Sequence, residues 1–455
     1  MNDVPSFDVG AVDLIVLVAY VLGTRVIFGW ISARRAAAEG SEGYFLAGRT
    51  LRWPLIGLSF YVSNMSGATF VGLPGAGYAD GIAVYHYEWL PALILVLFAW
   101  FLLPLFLEAR VYTAPEFLER RFDGRARLVF SGFLLVANVF IDAAAALYAG
   151  AAVGKVLLPE VPTLVVVSIT AVLATVYIVF GGLGAVVLND TVQAALILVG
   201  GAAIAVLTLT RVPSWDAVRE AAPEGALHLM QPADDPVMPW PGIFTGVLIV
   251  GIYFWCTNQF VIQRALGAKS LDHGRRGALF AGLLKLPNLF LLILPGVMAT
   301  ALYPDLERPD FVFPALAFDV LPVGLRGLIL AALAAAILSS LEAILNSAST
   351  LFTLDFVRTL RPRTADATLV RIGRAVTVVF MVVAVAWTPV IFSFPTLWQY
   401  LQSILAYVTP PVVAVFLAGV FWPRANARGA IATLVLGVPV GLGAWTANEI
   451  LQLTS

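Results

Sequence analysis

The chain is poor in titrating groups and in residues that hold a transition metal. Its one cysteine, Cys256, excludes an intrachain disulfide and any cysteine-based metal cluster. His86, His228 and His273 are scattered, so no ligand spacing of the HExxH kind exists. Charged residues make up only 12% of the sequence, against about 25% in a typical soluble protein. Lys and Arg number 27 and Asp and Glu 28, a balance that argues against nucleic acid or acidic partners. The opening decapeptide MNDVPSFDVG lacks a basic region, so the first apolar run reads as a retained span and not a cleaved signal peptide. What is abundant is apolar: 60% of the residues, with a mean hydropathy of +0.91. These features define an integral membrane protein whose solvent is the lipid bilayer, and its expected fold class is all-α. No obligate protein partner is evident.

A window reading gives about twelve apolar spans between residues 9 and 449. With the N-terminus outside, twenty Lys and Arg, Arg264 among them, fall in cytoplasmic loops and five in external ones, which predicts both termini outside. Five spans run from Trp53 to Arg211 and five more from Pro241 to Pro423. Equal odd numbers insert with opposite orientation, the inverted-repeat plan of many secondary transporters. The expected organisation is an extra helix and loop over 1–52, a first repeat over 53–211 and an external loop over 212–239. A second repeat over 240–423 and an extra helix over 424–455 complete it.

The chain is organised around Trp53–Gly81, long enough to cross a bilayer yet interrupted by Ser63-Asn64-Met65-Ser66-Gly67 and by Gly72, Pro74, Gly75 and Gly77. Glycine and proline break the helical ladder, and freed backbone is tolerated at membrane depth only where it lines a cavity. Carbonyls released there can coordinate a cation; close helix packing through small residues is the alternative. In Ala331–Phe356, Ala336, Ser339 and Ser340 stand at i, i+3 and i+4, on one helical face. A carbonyl and two hydroxyls suit a hard alkali cation, although such serines also serve helix packing.

Ionisable residues inside spans are functional candidates, because an uncompensated charge there costs several kcal/mol. They are Glu88, Asp142, Asp190, Lys285 and Glu342, with Glu88 and Asp190 near interfaces. Lys285 and Glu88 would satisfy each other, either as a structural pair or as hydrogen-bond partners for a polar solute. Gln402 in an apolar run needs a partner as well. Phe254 and Trp255 precede Thr257, Asn258 and Gln259, and aromatics beside mixed donors and acceptors suit a sugar, though such pairs also serve packing.

Several stretches carry a resemblance: SEGYFLAGR, SNMSGATFVGLPGAG, YEW, VYTAPEFLERRF, FGGLGAVVLNDTVQ, NQFVIQRALGAKS, LPVGLRGLILAALAAAILSS, LNSASTLFTLDF and YLQSILAYVTPPVVAVFL. In order and spacing the chain resembles the sodium/solute symporter family over roughly residues 8–430, and within it the sodium/glucose and sodium/galactose cotransporters. The resemblance implies a leucine-transporter-like inverted repeat of five plus five helices, with Na⁺ as coupling ion. By position it implies Na⁺ ligands at the carbonyls of Val62, Met65 and Ala336 and the hydroxyls of Ser339 and Ser340. It implies solute contacts at Asn64, Glu88, Lys285 and Gln402, with Thr69 where the family has His or Gln. Phe254 stands where the inner gate is commonly Tyr, next to Trp255. Asp190 matches an acidic cation-exit position with Tyr177 nearby, and Glu342 falls where two-sodium members place a hydroxyl.

The reading is a multi-pass symporter of a bacterial-type inner membrane that imports a monosaccharide with Na⁺ by alternating access. A polyol, sialic acid or amino acid as solute is the near alternative, and a transporter-like membrane sensor the distant one. An enzyme is not expected, since no nucleophile–base pair or metal cluster is present.

Overall fold

The computed structural model describes residues 10–20, 23, 27, 49–111, 113–157, 160–178, 183–306 and 308–450. Within them the regular structure is helical, and two isolated bridges, Leu51 with Ala268 and Gln231 with Pro239, are the β pairing present. In chain order the helices are α1 (Ala11–Tyr20), α2 (Trp53–Asn64), α3 (Gly67–Asp80), α4 (His86–Leu97) and α5 (Ala114–Arg121). Then come α6 (Gly124–Lys155), α7 (Thr163–Ile178), α8 (Leu183–Arg211), α9 (Trp240–Cys256) and α10 (Gln259–Leu266). Further long helices are α11 (Leu271–Leu302), α12 (Leu325–Leu360), α13 (Asp366–Ile391), α14 (Leu397–Val408), α15 (Pro410–Phe421) and α16 (Ala427–Trp445), with shorter ones at Trp215–Ala221 and Val312–Val320.

Seven described helical stretches are long and apolar enough to cross a membrane, or nine when two bent pairs each count as one span. The difference from twelve has several sources. Much of the first expected span, like most of 1–52, lies outside the described residues. The Trp53–Gly81 stretch is split into helices of 12 and 14 residues, each too short for a hydrocarbon core of about 30 Å. Helix α7 is described over 16 residues, and residues 179–182 beyond it lie outside the described set. From α3 the chain continues helically into α4 and on to Glu108, 42 residues that pass through a tight turn at Gly81–Tyr85. Gly81 makes that turn with φ 79° and ψ −160°, a region essentially reserved for glycine.

Bulky apolar side chains such as Val199, Phe290, Leu436 and Val440 face outward, while His86, Glu88, Asp190 and Lys285 are buried. That inside-out distribution suits lipid, which satisfies no backbone or side-chain polar group. Two packings place the functional residues. Helix α11 lies along α2, with Gly57 and Gly277 at the contact; a Cβ on Gly57 would stand 2.9 Å from the Gly277 carbonyl oxygen. At the α3 start, Gly67 lies against Ile337 of α12, where a Cβ would collide. The amphipathic α5 is capped by Thr113, whose hydroxyl accepts the Glu116 amide at 3.3 Å, and Arg121 from it donates to Gly419 O at 2.7 Å. Asp123 caps α6 by accepting the Ala126 amide at 2.9 Å, and that bond holds its carboxyl below the usual carboxylate range.

Candidate functional site

Two helices are broken at the site. At the first break the Met65 amide donates to Tyr61 O at 3.0 Å and the Ser66 amide to Asn64 O at 2.8 Å. The Val62 carbonyl therefore does not receive the Ser66 amide that a continued helix would supply. Ser66 caps α3, its hydroxyl accepting the Thr69 amide at 3.3 Å. The second break separates α9 from α10 by a 48° bend at Thr257–Asn258. The Thr257 amide keeps its helical bond to Tyr253 O at 3.0 Å, and the Asn258 amide shares that acceptor at 3.1 Å, which releases the Phe254 carbonyl. The Asn258 carboxamide is buried with no partner on its oxygen or its nitrogen among the described residues.

Between the breaks lies a cavity of about 120 Å³. Val62, Asn64, Thr69, Glu88 and Trp255 border it, as do Phe254, Ser339, Ser340, Gln402 and Asp190. Tyr87 and Trp398 also border it and meet edge to face at 5.4 Å.

One polar network stands behind Asn64 and Glu88. Lys285 Nζ lies 2.5 Å from Glu88 Oε2 and also donates to Asn64 Oδ1; both charged side chains are buried. Asn288 Nδ2 donates to the same Glu88 oxygen at 2.5 Å, and Tyr61 donates to Asn288 Oδ1 at 3.0 Å. Lys285 Nζ is 5.9 Å from the Trp255 ring centroid, within cation–π range. The sequence pairing of Lys285 with Glu88 is thus present, but Lys285 is not among the cavity's bordering residues, since its two partners stand in front of it. Asn288 and Tyr61 were not singled out by sequence. Asn288 stands one turn from Lys285, yet its contact depends on α2 and α11 running alongside in the same direction.

A second network joins both breaks to α8 and α12. Arg264 Nη2 lies 3.2 Å from Asp190 Oδ2, Ser59 donates to that oxygen at 2.5 Å, and Ser339 donates to Asp190 Oδ1 at 3.2 Å. Arg264 Nε donates to Ser59 Oγ at 2.7 Å. Arg264, assigned to a loop by charge counting, is therefore a buried residue: the bend at Thr257–Asn258 turns α10 inward and carries its last turn to Asp190. Asp190, expected near an interface, is fully buried in this network.

Of the remaining predicted residues, Met65 and Ala336 are buried beside the cavity without bordering it. The Thr69 hydroxyl donates to Asn64 O at 2.5 Å, closing the first break and leaving only its lone pairs for a solute. Gln402 Oε1 has no donor among the described residues. Phe254 packs edge to face on Trp255 at 5.2 Å and on Phe260 at 5.7 Å. Glu342 is buried on α12 and does not border the cavity. The side chain of Tyr177 lies outside the described residues.

A cavity that carries polar side chains between two interrupted membrane helices is the arrangement of a secondary transporter. The Sodium:solute symporter family matches residues 44–437. Sodium/myo-inositol cotransporter 2 of Oryctolagus cuniculus is 36% identical over 466 residues, covering 94% of this chain and 69% of its own. Sodium/glucose cotransporter 4 of Danio rerio is 33% identical over 486 residues, covering 97% and 73%. Among solved structures, a substrate-bound outward-open Na⁺-coupled sialic acid symporter matches with a TM-score of 0.80 at 22% identity, over 98% of each chain. That likeness bears on the fold, which is the leucine-transporter fold. The chain belongs to the sodium:solute symporter family. It is a multi-pass integral membrane protein that carries a small solute together with Na⁺.

Proposed function

We propose that the solute is a neutral polyhydroxylated ring, a hexose or a cyclitol such as myo-inositol, imported with Na⁺ across a bacterial-type inner membrane. The observation that carries this reading is the Asn64–Lys285–Glu88–Asn288 network, which presents a carboxamide and a carboxylate to the cavity beside the Trp255 ring. Hydroxyls both donate and accept, and ring CH faces pack on aromatics, so mixed partners beside Trp255 match such a solute. Lys285 serves from behind, fixing Asn64 and Glu88 in place. The relatives named for glucose and myo-inositol support the same class.

For Na⁺ the proposed ligands are the carbonyls of Val62, Met65 and Ala336 with the hydroxyls of Ser339 and Ser340. The Val62 carbonyl is freed by the break, and the Ser339 hydrogen is directed to Asp190, which leaves its oxygen lone pairs for a cation. Bound there, Na⁺ would tie α2 to α12 and favour one orientation of the cavity, and its differential affinity for the two orientations couples ion to solute. One charge moving through 100 mV supplies about 2.3 kcal/mol, and a tenfold gradient about 1.4 more. Together they sustain solute accumulation of several hundred-fold.

The two five-helix repeats over 53–211 and 240–423, and both chain ends outside, complete the proposal. Uptake of D-glucose, D-galactose and myo-inositol into proteoliposomes, with and without an inward Na⁺ gradient, tests it; a protein that carries none of the three contradicts it.

A further inference from the structure

Among the described residues three carboxylates border the cavity, and two are balanced: Glu88 by Lys285 and Asp190 by Arg264. The third is Asp142. It sits on the π-turn Ala137–Ala143 inside α6, and such local widenings of a helix occur frequently at functional sites. Among the described residues no hydrogen bond or ion pair reaches it. The buried cations that serve the other two carboxylates are engaged there, Lys285 by Glu88 and Asn64, and Arg264 by Asp190, Ser59 and the Phe260 carbonyl. An anion in a span without a donor costs several kcal/mol. Gln402 brings a second acceptor to the same cavity, a buried Oε1 with no donor. Ala145, Ala146 and Ala343 border the cavity alongside them, small side chains that fill little of it.

We propose that Asp142, together with Gln402 Oε1, is a solute-binding acceptor site that takes adjacent hydroxyl groups of a neutral polyol and rejects anionic solutes. This deepens the proposed function and rests on its assignment of the solute. A carboxylate has no hydrogen to give, so both of its oxygens call for donors, and neighbouring ring hydroxyls supply two. A solute carboxylate brought to the same place would meet a second uncompensated anion and two acceptors with nothing to accept. Asn64 and Glu88, on α2 and α4, engage one part of the ring while α6 and α14 engage another.

The test uses the full-length protein in proteoliposomes, with D-glucose and myo-inositol as probes, the monodeoxy analogues of whichever is carried, and D-glucuronate as competitor. Asp142→Asn is expected to raise the probe's KM at least tenfold, the range of a charge-assisted hydrogen bond, without moving half-saturation by Na⁺. One deoxy position should weaken uptake by the wild type and add nothing to Asp142→Asn. Glucuronate should compete only in Asp142→Asn. Asp142→Glu, which keeps the charge but shifts it by one methylene, should also raise KM.

An unchanged KM in Asp142→Asn overturns the proposal. So does a penalty equal at every deoxy position, which marks a structural role. A shift in Na⁺ half-saturation at constant KM makes Asp142 a cation ligand and overturns it too. Failure of both variants to fold overturns it as well, because a binding carboxylate is dispensable for folding. Wild type that carries neither probe refutes the assignment of the solute, a failure visible without any variant, and the acceptor site falls with it.

Discussion

Replacing one member of the Lys285–Glu88 pair should cost more than replacing both. At 2.5 Å the two charges attract by roughly 7 kcal/mol if the effective dielectric is about 20. Desolvation offsets most of that, since each buried ion loses several kcal/mol of hydration. A lone survivor keeps the desolvation loss without the attraction, so Lys285→Met alone should destabilise by about 3–5 kcal/mol. Glu88 would then retain Asn288 as its donor but no cation. Glu88→Gln alone should be milder, because the carboxamide oxygen still accepts from Lys285 and Asn288. The double variant carries no buried charge and should be more stable than Lys285→Met. Unfolding in detergent across the four proteins gives the coupling, and Na⁺-driven uptake by each gives the functional readout. Additive costs would refute the pair as an energetic unit. Recovery of uptake by the double variant would refute solute recognition by this network and leave it a structural pair. Recovered stability with lost uptake is the expected outcome.

Ser339→Ala or Ser340→Ala should weaken Na⁺ stimulation of uptake more than solute exchange at equilibrium; an unchanged Na⁺ dependence removes the residue from the ion site. Asp190→Asn should destabilise by about 3–5 kcal/mol, because Arg264 loses its counter-charge in a buried setting, and Arg264→Met/Asp190→Asn should recover much of that. Detergent unfolding midpoints check it, and independent effects would contradict it. Gln402→Ala should abolish uptake while the protein stays monodisperse, and normal affinity would contradict its role. Gly81→Ala should cost at least about 1–3 kcal/mol from its backbone angles alone, with a collision against the Ala226 carbonyl added; the unfolding midpoint reports it.

The parts legible in sequence were those where lipid makes a polar residue conspicuous. Lys285 and Glu88 stand out in apolar runs, and their pairing follows from the cost of leaving either alone. The first break is visible because Ser63-Asn64-Met65-Ser66-Gly67 is a poor helix in a span otherwise apolar. The second break is not, because Thr257 and Asn258 include neither glycine nor proline and the bend appears only when the Asn258 amide shifts to Tyr253 O. That hidden bend also carries Arg264, which charge counting places in a loop, into the protein interior. Arginine after an apolar run normally marks a membrane exit, and only the inward turn of α10 brings it to Asp190. Asn288 and Tyr61 needed a tertiary fact, the close approach of α2 and α11 at Gly57 and Gly277. The same geometry moved Lys285 from the cavity wall to the layer behind it.

The central claim is that an ion held between the broken α2 and the serine face of α12 drives a polar solute through the cavity beside them. Uptake of D-glucose and myo-inositol by purified protein in liposomes, with Na⁺ replaced by choline in one arm, tests that most directly. Concentrative uptake of at least one solute with Na⁺, and its loss in choline, is the expected result. Equal accumulation in both arms would contradict it.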